Sequence, residues 1–175
     1  MAFDMQAPQK TISIEKHESG DGYLLKSSLT VVEPIDTVFE FFADAGNLEK
    51  ITPDFLNFKV LSELPIEMGV DALIDYKLQL YGIPFRWRTR IADWDPPFRF
   101  VDQQLRGPYR QWHHEHLFRE ADGGGTVCDD FVHYKVPLGN LVNKFFVERN
   151  VRAIFQFRQT KLGQMFTHVE RSTGN

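Results

Sequence analysis

Between Gly82 and Gly139 the chain passes through four extended stretches in which apolar and polar residues alternate, each closed by turn residues. The stretches cover residues 85–92, 98–105, 110–119 and 126–136. Their separators are Asp95-Pro96-Pro97, Arg106-Gly107-Pro108 and Asp122-Gly123-Gly124-Gly125. Linkers this short join only antiparallel neighbours, because a parallel crossover needs about a dozen residues or more. A curved antiparallel sheet follows, and the period of two assigns its faces. Phe85, Trp87, Thr89 and Ile91 share the inner side, with Arg86, Arg88 and Arg90 as a charged outer row. Trp112, His114, His116 and Phe118 fall together, as do Cys128, Asp130, Val132, Tyr134 and Val136. In the second stretch Phe98, Phe100, Asp102 and Gln104 compete with Arg99, Val101, Gln103 and Leu105, and we place Phe98 and Phe100 inward.

Upstream, residues 1–9 have no period and read as a frayed tail, while residues 11–17 alternate weakly before the turn signal Glu18-Ser19-Gly20-Asp21-Gly22. Residues 23–32 read as a strand. Pro34 then suits a first helical turn, and Ile35, Val38, Phe39 and Phe42 recur at helical spacing. Asn47 is expected to cap a second short turn through Leu48 and Ile51 that Thr52-Pro53 ends. Strands are expected over 56–61 and over 70–81, where Ile74, Tyr76, Leu78 and Leu80 alternate with Asp75, Lys77 and Gln79. After Pro137 the pattern turns helical, first at Leu138, Leu141, Val142, Phe145 and Phe146. The spacing slips near residues 148–150, so a bend is expected before a long helix over about 148–168.

These elements predict an α+β fold of about seven antiparallel strands wrapped around a long C-terminal helix, the one element long enough to cover the apolar face. Two short helices follow the first strand. Residues 1–20 are expected as a flexible tail or an extra strand, and residues 21–170 as a single domain, in keeping with a chain of 175 residues. A hydrophobic content of 42% with 16 phenylalanines excludes general disorder, and a net charge of −4 argues against sequence-independent nucleic-acid binding. The single cysteine, Cys128, cannot close an internal disulfide, and the first residues carry no apolar signal run. No apolar stretch is long enough for stable membrane insertion, and a cytoplasmic location is expected.

The order of elements resembles the START-like helix-grip superfamily (SRPBCC). That group contains START domains, birch-pollen-allergen-like proteins, polyketide cyclases/dehydrases and coenzyme Q-binding proteins. The run Val38-Phe39-Glu40-Phe41-Phe42-Ala43-Asp44, followed by Asn47-Leu48 and Ile51-Thr52-Pro53, is similar to the first-helix signature of bacterial single-domain members. The stretch from Arg106-Gly107-Pro108 through Trp112-His113-His114-Glu115-His116 is similar too, as is Phe145-Phe146-Val147 leading to Ile154-Phe155 and Arg158. The resemblance implies a cavity for an apolar or amphipathic small molecule, with carriage in some branches and catalysis in others.

Candidate ligand-binding residues are Tyr76, Leu78, Trp87, Thr89, Phe100, Trp112, His114, His116, Tyr134 and Phe155, the aromatics giving shape and the histidines orienting a polar end. His114 and His116 are also the candidates for general acid/base work in a cyclase/dehydratase-type enzyme, since imidazole titrates near neutral pH. With Asp130 or Asp102 they form the outline of a zinc or iron ligand set, but no spaced Cys/His set accompanies them, and neither metal nor cofactor is expected. Nucleophilic catalysis lacks a Gly-x-Ser-x-Gly, and the Gly123-Gly124-Gly125 run precedes a strand and lacks a P-loop lysine. Lys144, Arg149, Arg152, Arg158 and Lys161 read as the solvated face of the last helix. The leading expectation is a carrier of a lipid, quinone or polyketide-like aromatic, with an enzyme and a protein-interaction module as alternatives.

Overall fold

A computed structural model describes residues 10–137 and 143–166. The expected tail at 1–9, the helical start at 138–142 and the end of the last helix at 167–168 lie outside the described residues. Eight antiparallel strands form one sheet: β1 (Lys10–Lys16), β2 (Tyr23–Val31), β3 (Lys59–Val60), β4 (Leu73–Leu80), β5 (Ile83–Asp95), β6 (Arg99–Arg106), β7 (Gln111–Glu120) and β8 (Thr126–Lys135). Their spatial order is β1-β2-β8-β7-β6-β5-β4-β3. The chain therefore crosses from β2 to the far edge through α1 (Ile35–Ala43) and two 3-10 turns (Ala45–Ile51 and Asp54–Leu56), then returns strand by strand to pair β8 with β2.

Curvature has local causes. Register shifts between β5 and β6 at Arg88/Thr89 and at Ile91/Asp93 interrupt the ladder, and such irregularities bend a strand and increase its twist. The β7–β8 turn needs glycine at its end: Gly125 has φ +87°, and a Cβ there would sit 2.2 Å from the Val31 carbonyl oxygen.

The concave face is closed by α2 (Glu148–Met165), which enters through a π-helical turn at Asn143–Val147, just ahead of the residues where the apolar spacing slips. Val151, Phe155, Gln159 and Leu162 recur every three or four residues, and all four are buried. Gln159 is the polar member of that row. Its Nε2 donates towards Thr11 O (2.9 Å), Ser27 Oγ (3.0 Å) and Ser28 O (3.0 Å), which pins α2 to β1 and β2.

Three sequence expectations change. The first 3-10 turn is capped by Asp44, whose Oδ1 accepts from Gly46 N at 2.8 Å; Asn47 lies inside the turn, buried, its Nδ2 donating to Phe41 O. The strand expected over 56–61 shrinks to Lys59–Val60, because Asn57 takes a left-handed conformation (φ 43°) that ends a 3-10 turn. Phe98 is 54% exposed and not inward: it belongs to the Asp95 turn, closed by Phe98 N donating to Asp95 O, and inward alternation starts at Phe100.

Candidate functional site

The concave faces of β6, β7 and β8 carry a patch of four charged or titratable side chains. In β7, His114 and His116 share a face because they are two residues apart. Register places Asp102 of β6 opposite His114, and Asp130 of β8 opposite His116. The contacts run along the diagonals: His114 Nε2 lies 2.8 Å from Asp130 Oδ1, and His116 Nε2 lies 3.0 Å from Asp102 Oδ2. The second nitrogens face the other carboxylates, His114 Nδ1 at 3.4 Å from Asp102 and His116 Nδ1 at 3.1 Å from Asp130. The two imidazole centroids are 3.7 Å apart. All four side chains are buried or nearly so, with Asp102 the most open at 17%.

Two imidazoles this close cannot share protonation equally. Burial, with the neighbouring His116, pushes His114 down to about 4, so it is neutral at pH 7. Burial opposes charge on His116 as well, but hydrogen bonds and attraction from Asp102 and Asp130 outweigh it and raise its pKa. Asp130 and Asp102 pay the same desolvation cost, yet the imidazoles hold both below the usual carboxylate range. His116 is thus the ring that keeps a proton, between two carboxylates.

Above this patch lies a cavity in which the centre of a water-sized sphere can occupy about 140 Å³, where some 10–15 Å³ would suffice for one water molecule. Tyr76, Leu78, Trp87, Thr89, Phe100, Trp112, His114, His116 and Phe155 all line it. Tyr134 does not: it is fully buried behind the lining, with its ring 6.0 Å from Tyr109 and 6.1 Å from Trp112. Thr89 Oγ1 accepts from Trp87 Nε1 at 3.0 Å and bonds the Tyr76 hydroxyl at 3.0 Å, so these lining groups satisfy one another.

Several lining groups escaped the sequence reading. Phe42, Ile51, Leu56, Phe58 and Met68 close the end near α1 and the 3-10 turns, and all five lie outside the strands as formed. The larger miss is Arg158. Its charge reads as one of the solvated cations of α2, yet it lines the cavity, with a side chain only 13% exposed and its guanidinium 5.0 Å from the Phe155 centroid. A signal existed, since Phe155, Arg158 and Leu162 fall at i, i+3 and i+7 on one helix face. The outer arginines do face solvent: Arg88 makes a bidentate pair with Asp75 at 2.8 and 2.7 Å.

Asp102, His114 and His116 each offer a ligand atom within 4.8 Å of the others. A metal ion would have to displace the carboxylate–imidazole bonds that hold these atoms together. Cys128 is buried and its thiol is pushed upward by burial, which keeps it un-ionised.

A curved antiparallel sheet gripping a C-terminal helix over an aromatic-walled cavity is a hydrophobic-ligand-binding architecture. The chain belongs to the family described as polyketide cyclase/dehydrase and lipid transport, whose model matches residues 33–158. Comparison with curated protein sequences returns no significant match. Among solved structures the fold is similar to protein Ms6760 from Mycobacterium smegmatis, at TM-score 0.65 and 15% identity over 91% of this chain and 98% of that one. It is similar also to the Zhui aromatase/cyclase from Streptomyces sp. R1128, at TM-score 0.65 and 17% identity over 87% of this chain and 98% of that one. Protein CV1439 from Chromobacterium violaceum aligns at TM-score 0.65 and 13% identity, over 83% and 98%. At such identities the likeness establishes the fold. No helix among the described residues is long and apolar enough to cross a membrane.

Proposed function

We propose that this protein binds and carries an apolar small molecule, such as a lipid, quinone or polyketide-like aromatic, between its sheet and α2. The observation that carries this reading is the cavity itself, walled by Tyr76, Trp87, Phe100, Trp112 and Phe155, with its carboxylate, imidazole and guanidinium groups (Asp102, His114, His116 and Arg158) gathered together. Such a distribution rewards a ligand that is mostly hydrocarbon with one polar end. A cytoplasmic location belongs to the same proposal and is supported by the single, buried cysteine. Native mass spectrometry of freshly purified protein is the test. A co-purifying apolar molecule, or a stable adduct with an added quinone or lipid, is expected; bare protein across such a panel would contradict carriage.

A second reading is favoured by the placement of His114 and His116, 3.7 Å apart at the cavity wall and each bonded to a different carboxylate, which biases their protonation in opposite directions. Adjacent groups held in different protonation states at one pH are the equipment of acid/base chemistry, His116 able to give a proton and His114 able to take one. The reaction class is cyclisation or dehydration of a carbonyl compound. Turnover of a poly-ketone substrate that His116→Gln abolishes without loss of binding would promote the enzyme over the carrier.

A further inference from the structure

The histidines are poorly placed to hold a ligand's polar end. Each of their four ring nitrogens already lies 2.8–3.4 Å from a carboxylate oxygen, with His116 Nδ1, 3.1 Å from Asp130 Oδ1, close but not aligned for a hydrogen bond. Arg158 is the opposite case: its Nε and Nη1 are buried and have no hydrogen-bond acceptor among the described residues. Its nearest carboxylate oxygen, Asp130 Oδ1, is 3.8 Å from Nη1, beyond hydrogen-bond reach. Unpaired N–H groups on a buried cation are costly, and an acceptor arriving in the cavity would relieve that cost.

We infer that Arg158 is the residue that positions the ligand, by donating to an uncharged carbonyl oxygen at the end of an apolar molecule. This rests on the reading of the cavity as a ligand site and adds the group that selects what enters it. Charge decides between carbonyl and carboxylate. Asp102 lines the site and Asp130 lies against both histidines beside it; set against these two carboxylates are the guanidinium of Arg158 and His116, whose proton the carboxylates favour, while His114 is neutral, as are Tyr76 and Tyr109. The set is balanced as it stands. A carboxylate bound at the same N–H groups would add an uncompensated buried charge on the Asp130 side of Arg158, whereas a ketone or quinone oxygen accepts the open N–H groups and leaves the balance intact.

The test uses ring-sized probes that differ at one group: ethylbenzene, acetophenone and benzoate, titrated into the full chain at neutral pH and followed by amide chemical shifts. Arg158→Met should weaken acetophenone tenfold or more while leaving ethylbenzene unchanged or tighter. Wild-type protein should bind benzoate more weakly than acetophenone. Arg158→Lys retains the cation beside Asp130 but not the planar donor geometry, and it should lose several-fold for acetophenone alone, so the inference stays testable if the methionine variant does not fold. Equal losses for ethylbenzene and acetophenone, or no loss for either, would overturn the role of Arg158 while leaving the apolar cavity intact. Benzoate binding tighter than acetophenone would overturn the uncharged-carbonyl assignment. Failure of all three probes to bind wild-type protein would overturn the cavity reading, and this inference with it.

Discussion

His114 and His116 differ by two positions in one strand, yet their titrations pull stability in opposite directions. The folded pKa of His114, about 4, lies below its unfolded value of 6.5. Its contribution is therefore present above pH 6.5 and is lost as pH falls towards 4, because the unfolded chain takes up a proton that the folded chain refuses. The loss across that window is about 3 kcal/mol from this group alone. His116 has a raised folded pKa, so its contribution is full below 6.5 and is lost as pH climbs through that folded value. Asp102 and Asp130, both lowered, are stabilising above the ordinary carboxylate range and lose this only in stronger acid. From these two groups alone, stability should peak near the unfolded histidine value of 6.5. Denaturant melts of His114→Gln should lack the decline between pH 6.5 and 4 that wild-type shows; parallel declines would mean that His114 is not the buried neutral ring described above.

Among the elements, strands with strict alternation were legible and the irregular connection was not. Residues 85–91 state their faces outright, because only one parity is apolar and the other is a row of arginines that the solvated face can hold. Residues 56–61 alternate as well, but alternation cannot see that Asn57 turns left-handed or that Leu56 is buried from a 3-10 turn. Phe98 had the right parity and the wrong place, since a side chain on a turn has no sheet neighbour to hide behind. In α2 the apolar row was legible, whereas the inward polar members Arg158 and Gln159 were not: long polar side chains are read as solvated unless a buried partner is known. The pairing of Gln159 with β1 and β2 gives a direct check on how α2 is held. Gln159→Leu leaves Thr11 O and Ser28 O without their donor and should lower Tm by roughly 5–15 °C. An unchanged Tm would mean that the helix is anchored elsewhere.

For the whole molecule, sheet and helix enclose a cavity with a polar patch on its sheet side and Arg158 facing that patch from the helix. The tryptophans report on that cavity separately. Trp87 and Trp112 line it, whereas Trp94 packs outside it against Phe39 (5.2 Å) and Phe100 (5.6 Å). The most direct test of a ligand held between sheet and helix is a fluorescence titration with a quinone whose binding is established independently by calorimetry. Wild-type emission should be quenched. Trp87→Phe and Trp112→Phe, each keeping an aromatic in place, should each remove much of the quenching, and Trp94→Phe should leave the titration nearly unchanged. Quenching that survives in both inner variants and disappears in Trp94→Phe would place the ligand outside the cavity and contradict the account.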